Sequence, residues 1–505
     1  MTQTSSTTNP PYELLVIGGG INGVGIARDA AGRGLSVLLV ERADLASATS
    51  SASSKLIHGG LRYLEQFEFR LVHESLAERE VLLAAAPYIV RPLRFVLPVH
   101  SGLRPPWLLR SGLFLYDHIG GRKRLPPTRT VRRDRDPVFS ALADGYRLGF
   151  EYSDCWADDA RLVVVNALDA QQRGAQIETG WAVTAAHREN GVWRVDMTSH
   201  SGEVRTVRSR ALVNAAGPWV EAILRAAGAH RQRSLRLVKG SHIIVRRLYE
   251  GPQAYTLQNA DGRVVFAIPY EDDFTLIGTT DTTFSGDPAE VHADSNEVAY
   301  LCGLISGYLK TAVTPRDVVW TYSGVRPLYD DGEASASTVT RDYVFDMDTL
   351  QGQAPLLSVF GGKLTTYRKL AEHALSKLLP VMQLTTTPWT KTATLPGGDI
   401  PHADLESFIA GQSRSRPFVP PGLMRRWCRS YGTRVERILA NARTLGDLGA
   451  EVAPAVYEAE LSLMQKEEWA RTGADALWRR SKLGLHLDAQ GRAKVAAWFN
   501  PSAPA

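Results

Sequence analysis

The sequence predicts a fold of class α/β plus α+β: a parallel sheet with its helices first, an antiparallel sheet through the middle, and a helical end. Three observations carry that prediction. Residues 12–41, "YELLVIGGGINGVGIARDAAGRGLSVLLVE", read as strand, glycine turn, helix and strand. Residues 236–348 carry alternating, β-branched runs such as "LRLVKGSHIIV", "FTLIGTTD" and "VVWTYSGVRPL". Beyond a linker at 376–402, "MRRWCRSYGTRVERILANA" and "AVYEAELSLMQKEEWARTGADALWRR" have helical period and composition. A chain of 505 residues exceeds one hydrophobic core, so two or three domains are expected.

Residues 12–17 form an apolar run suited to a buried parallel strand. Gly18, Gly20 and Gly23 then give G-x-G-x-x-G, with Ala27 and Ala31 at helical spacing behind them. Gly34 ends the helix, "LSVLLV" is the second strand, and Glu41 closes it, 18 residues after Gly23. Glycines at these positions permit a tight turn and close approach of backbone to a pyrophosphate. The helix start presents unpaired N–H groups to it, and a carboxylate at the strand end accepts from ribose hydroxyls. The unit predicts a dinucleotide, and Glu41 argues against a 2′-phosphate. The fingerprint does not choose between NAD and FAD. A longer cofactor needs further glycine turns. Two follow buried strands, one around Ala215 and Gly217 in "ALVNAAGPWV", the other at Gly361-Gly362-Lys363 before Leu364 and Thr365, where a helix begins.

At 44% hydrophobic and 22% charged, the composition is that of an ordinary globular protein. Three scattered cysteines form no CxxC pair, which argues against a disulfide framework or zinc site and fits a reducing compartment. The first ten residues lack the basic-then-apolar pattern of a signal peptide, and no apolar run approaches the roughly 20 residues of a spanning helix. A net charge of +5 suggests an anionic partner. Nucleic acid is disfavoured, because no recognition module appears and the basic loop lacks interleaved aromatics.

The stretches "VIGGGINGVGIARDAAGRGLSVLLVE", "SSASSKLIHGGLRYLE", "FEYSDCWADDARLV", "VNAAGPWV", "KGSHIIV", "IGTTD", "TYSGVRPL", "TRDY" and "VFGGKLTTYRKLAEHAL" occur in this order between about residue 11 and residue 500. Together they resemble the FAD-dependent glycerol-3-phosphate dehydrogenases of aerobic bacteria. The resemblance implies a discontinuous, glutathione-reductase-like FAD domain (11–88, 150–235 and 349–386). It also implies a D-amino-acid-oxidase-like antiparallel substrate domain (89–149 and 236–348) and an all-helical C-terminal cap (390–505). It implies oxidation of glycerol 3-phosphate with electrons passed to ubiquinone or menaquinone, a peripheral place on the cytoplasmic face of the inner membrane, and a homodimer. An oxidase passing electrons to oxygen and a flavin-bound membrane-surface protein without turnover are the competing readings.

On this resemblance Ser50, Ser51, Ser53 and Ser54 donate to the FAD phosphates and Lys55 neutralises them. Gly59 and Gly60 let the backbone approach the isoalloxazine ring, and Arg62 and Tyr63 face the substrate. By composition alone the same residues also suit a helix start with a solvated lysine and arginine. Arg326 and Arg341 are assigned to the substrate phosphate, because a guanidinium matches it in a bidentate fork. The catalytic set is His242, Lys363 and Arg62. A neutral histidine with a pKa near 7 suits removal of the C2 hydroxyl proton, while Lys363 suits an anion on the reduced flavin. These roles stay open between the two residues. Finally, Trp107, Leu108, Leu109, Leu113, Phe114 and Leu115 precede Arg122, Lys123, Arg124, Arg129, Arg132, Arg133 and Arg135. That pairing suits an anionic bilayer, or a buried helix followed by a solvated basic loop.

Overall fold

The structure, a computed structural model, describes residues 10–500 apart from 66, 101, 122–123, 230–234, 260–261, 330–341 and 350–352, and apart from the side chains of 62 and 65. Arg341 and the Arg62 side chain, both expected at the substrate, therefore lie outside the described residues, as do Arg122 and Lys123 of the basic run.

The first sheet runs Val344–Asp348, Leu356–Phe360, Val204–Asn214, Tyr12–Ile17, Val37–Glu41, Gln176–Thr179. The last five of these strands are mutually parallel. Their inner members are apolar nearly throughout, because helices and an added hairpin cover both faces. The helix Ile21–Gly32 packs between Asp159–Gln172 and Tyr367–Val381. Gly25 makes its close approach possible, since a Cβ there would lie 2.8 Å from the Tyr367 ring. The second sheet holds ten strands around Leu235–Arg246, which pairs antiparallel with both Phe274–Gly278 and Val318–Tyr329.

The sheet register sets up the cavity. Tyr322, His242, Gly278, Phe266 and Thr256 are direct cross-strand partners on five successive strands. Directly paired residues share a face, so a single row of side chains crosses the sheet on the side turned to the glycine turns.

Several expected boundaries shift. Leu148–Ala157 and Leu56–Ile57 pair in the second sheet, whereas Val344–Asp348 pairs in the first. The C-terminal region is not purely helical: Glu451–Ala453 and Val456–Tyr457 form a short hairpin, because Ala455 turns the chain at positive φ. The linker begins later than expected, after the helix Tyr367–Val381.

The C-terminal region is joined to the first sheet's helices by a continuous apolar core and by buried ion pairs. Arg480 bonds both Asp44 oxygens at 2.6 Å, and Arg161 forks onto Glu468. Breaking one such pair would leave a charge buried without compensation, which costs about 3–5 kcal/mol.

Candidate functional site

A cavity of about 850 Å³ lies between the two sheets and takes residues from both. Its first wall is the glycine cradle. Gly18 has φ +115°, and a Cβ there would lie 2.5 Å from the Ala215 carbonyl oxygen, so two of the expected glycine turns meet at this point. Gly361 and Gly362, at φ +75° and +99°, complete the wall with Leu364 and Thr365. Asn22 ties this turn to the first helix, its Nδ2 donating to the Gly361 carbonyl at 3.1 Å. Glu41 accepts from the Gly19 and Ala43 N–H groups at 2.6 and 2.8 Å, which fixes its carboxylate at the strand end. Burial pushes its pKa up. Helix start, cradle and oriented acid fit an adenine dinucleotide. Beside them Arg42 lies over the Trp219 ring, 3.8 Å from its centroid, and both line the cavity.

Gly23 belongs to this machinery indirectly. It does not line the cavity; a Cβ there would overlap the Gly18 carbonyl oxygen, so its role is to let the helix close on the turn.

The serine run departs furthest from expectation. Ser50 keeps its place: its Oγ accepts from the Ile21 N–H at 3.0 Å, at the helix start. Ser51 does not line the cavity, since its hydroxyl turns back to the Ala48 carbonyl at 3.3 Å. Lys55 is not a phosphate ligand. It is buried with φ +59°, and its Nζ sits 2.8 and 3.0 Å from the two Asp159 oxygens and 3.0 Å from the Ser51 carbonyl. An ammonium removed from water needs a countercharge, and Asp159 supplies it from inside the domain. Ser54 faces the substrate wall, its Oγ 2.9 Å from His242 Nε2.

Gly59 also turns away from the cavity. Its N–H donates to Tyr116 Oη at 2.8 Å, and a Cβ would lie 2.6 Å from Leu76. Gly60, at φ +76°, does line the cavity, next to Tyr63.

His242 is 1% exposed, stacks on Tyr322 at 4.8 Å and reaches the cavity wall. Its Nδ1 is buried without a hydrogen-bond partner among the described residues. Burial, with Arg326 and Lys55 nearby, pushes its pKa well below that of an ordinary histidine. The expected value near 7 is thereby corrected: the ring is neutral across the physiological range. Gly278, across the strand pair, makes room for it, because a Cβ there would overlap the imidazole.

Arg326 lines the cavity and is ion-paired to Asp281, with Nη2 donating to Thr279 Oγ1 at 3.1 Å. The Asp281 carboxylate and the Thr279 hydroxyl fix the guanidinium in the space it occupies at the cavity wall. Gly240 clears that space, since a Cβ would overlap Nη2. Lys363 Nζ lies over the Tyr63 ring, 3.9 Å from its centroid.

Sequence reading missed Asp281 and Asp159, which hold cations through the fold. It also missed Asp154, which lines the cavity with Tyr116 and Arg79 bonded to it and a pKa pushed up to about 6 by burial. "YSDCWADD" placed two of these acids on one strand and its exit, but nothing local showed where they point.

The segment expected at a bilayer forms the helix Pro106–Ile119. Leu113 and Tyr116 face the core, while Trp107 and Phe114 are 70% and 58% exposed. Among the described residues the basic run does not form one free cationic face. Arg129 pairs with Asp136 and Glu151, and Arg133 donates to the Leu142 and Tyr146 carbonyls. Among the described residues no helix is long and apolar enough to cross a membrane.

Comparison with known proteins matches residues 13–368 to the FAD dependent oxidoreductase family, and residues 388–498 to the C-terminal domain of alpha-glycerophosphate oxidase. D-erythritol 1-phosphate dehydrogenase of Brucella abortus is 52% identical over 490 residues, covering 97% of each chain. Aerobic glycerol-3-phosphate dehydrogenase of Escherichia coli is 51% identical over 490 residues, 96% of this chain and 97% of that one. Among solved structures, the glycerol-3-phosphate dehydrogenase of Bacillus halodurans complexed with FAD superposes with TM-score 0.80 at 26% identity, covering 98% of this chain and 91% of that one.

Proposed function

The chain belongs to the FAD-dependent oxidoreductase family, and from that premise we propose that it oxidises glycerol 3-phosphate to dihydroxyacetone phosphate and passes the electrons to a membrane quinone. The observation that carries this reading is the wall where His242 and Arg326 share one cavity with the glycine cradle. Bound FAD supplies the hydride acceptor. The protein's own groups do the rest. Arg326, which lines the cavity, takes the substrate phosphate, and Asp281 and Thr279 hold its orientation. Lys363 adds a second cation at the cradle side. Neutral His242 accepts the C2 hydroxyl proton, because burial keeps it unprotonated and Nδ1 has no partner among the described residues. Anaerobic mixing with glycerol 3-phosphate tests the reading: the flavin absorbance bleaches in one turnover, and an unchanged spectrum rejects it.

The relative named for D-erythritol 1-phosphate supports a second reading, a four-carbon polyol phosphate. Thr256 and Gln258 line the same cavity further along the sheet and offer hydrogen bonds to an extra hydroxymethyl group. The ratio of kcat/KM for the two substrates separates the readings.

A quinone acceptor would require a place at a membrane surface, and on this reading the protein sits peripherally on the cytoplasmic face of the inner membrane. The exposed Trp107 and Phe114, with exposed Arg124, Arg132 and Arg135 nearby in sequence, support that place. Co-sedimentation with anionic vesicles, weakened but not abolished by salt, is the expected result.

A further inference from the structure

We infer that Asp159 is a positioning residue for the proton-accepting histidine, acting through the serine run. The carboxylate is fully buried at the first turn of the helix Asp159–Gln172 and sits outside the cavity. It accepts from the Ser53 hydroxyl at 2.7 Å, the Ser53 N–H at 3.2 Å and Lys55 Nζ at 2.8 and 3.0 Å. Its own helix contributes the Ala160 N–H at 2.9 Å. Residues 53 and 55 are therefore clamped on either side of Ser54. The clamp also holds Lys55 in a left-handed conformation that a non-glycine residue adopts only when its surroundings impose it.

The consequence falls on His242. Ser54 Oγ lies 2.9 Å from Nε2. The other face of the ring is set by Tyr322, stacked at 4.8 Å and 18°. Tyr322 is in turn tied to the same run, its hydroxyl donating to the Ser53 carbonyl at 2.8 Å. Lys55 Nζ lies 5.0 Å from the Tyr322 ring centroid. Both groups that orient the imidazole thus hang from the segment that Asp159 fastens. The Ser54 contact fixes which ring nitrogen is engaged in the wall, and leaves Nδ1 as the nitrogen without a partner among the described residues.

The inference rests on His242 being the proton acceptor, and its test separates the two claims. Asp159→Asn and Ser54→Ala are made alone and with His242→Asn, and flavin content, KM and kcat for anaerobic flavin reduction are compared. Each single variant keeps its FAD and a KM close to the parent's, while kcat falls about 10- to 100-fold, the effect of a small misplacement. Added to His242→Asn, neither lowers kcat further. A second readout needs no substrate: labelling of His242 by diethyl pyrocarbonate, mapped by mass, is faster in both variants than in the parent holoenzyme. Losses that multiply with His242→Asn, or unchanged labelling, would make Asp159 a structural residue only and overturn the inference. If Asp159→Asn does not accumulate as holoprotein, Ser54→Ala decides by the same two readings. A parent that fails to bleach with glycerol 3-phosphate defeats the substrate reading, while the labelling still decides the positioning.

Discussion

The glycine cradle at 18–23 and the serine run at 50–55 bound the same cavity and look equally rich in signals, but they are built on different physics. The cradle is local: Gly18, Gly20 and Gly23 are constrained by a turn and by the helix that follows it. The serine run is held by partners far away in sequence, Asp159 at Lys55 and His242 at Ser54. Local geometry follows from spacing. Long-range geometry requires knowing which strand lies beside which.

The sharpest way to break this comparison is a substitution in the cradle. Gly23→Val puts a branched side chain where even a Cβ would overlap the Gly18 carbonyl oxygen. The expected outcome is loss of bound FAD, read from the flavin absorbance per chain. A yellow, fully loaded Gly23→Val variant would show that the turn is not under steric control.

A substitution in the serine run has a different signature. Lys55→Met leaves Asp159 buried without its cation, and removing one partner of such a pair costs about 3–5 kcal/mol. Urea denaturation of the holoprotein measures the loss. A phosphate-binding lysine would instead lower stability only through weaker FAD binding, a loss that shrinks as FAD is removed from both proteins, so denaturation with and without FAD separates the two readings of Lys55.

This contrast explains what was legible in the sequence. The first sheet, the three glycine turns and the place of Glu41 at the strand end follow from short-range rules and stand in the structure. The alternating strands were legible too, since each pattern needs only its own residues. The pairing that lines up Tyr322, His242, Gly278, Phe266 and Thr256 was not, because register depends on the whole sheet. Lys55 and Gly59 were misplaced for the same reason: a lysine or glycine beside a cavity motif has no local mark of the side it faces. Arg326 does line the cavity, but its tie to Asp281 depends on a strand end 45 residues away.

The next effect in size tests that tie. Arg326→Ala removes the fork from the substrate and leaves Asp281 without its cation. The expected outcome is a KM for glycerol 3-phosphate raised by about 2–3 kcal/mol, with flavin content unchanged. Asp281→Asn should raise KM less, because the fork remains and only its orientation loosens. Equal losses in the two variants would mean that the ion pair, not the guanidinium, serves the substrate.

The smallest effect is a pH profile, and it distinguishes His242 from Asp154, both buried in the cavity wall. His242 has a pKa held well below 6.5 by burial first, then by Arg326 and Lys55. A base works in its neutral form, and a depressed pKa extends that form to lower pH. The kcat for flavin reduction should therefore stay level as pH falls through 6.5, where an ordinary histidine would lose half its activity. The same depression has a stability cost of definite sign: the unfolded chain binds a proton near pH 6.5 that the folded chain refuses, so stability falls as pH drops below that value. Asp154 lies in the same cavity wall with its pKa raised to about 6 by burial, against the pull of Arg79 and the Tyr116 hydroxyl. If its carboxylate rather than His242 received the proton, the parent's kcat would fall with a midpoint near 6. Asp154→Asn would then abolish turnover rather than leave the level profile unchanged. A plateau that persists below 6 in both proteins assigns the proton to His242.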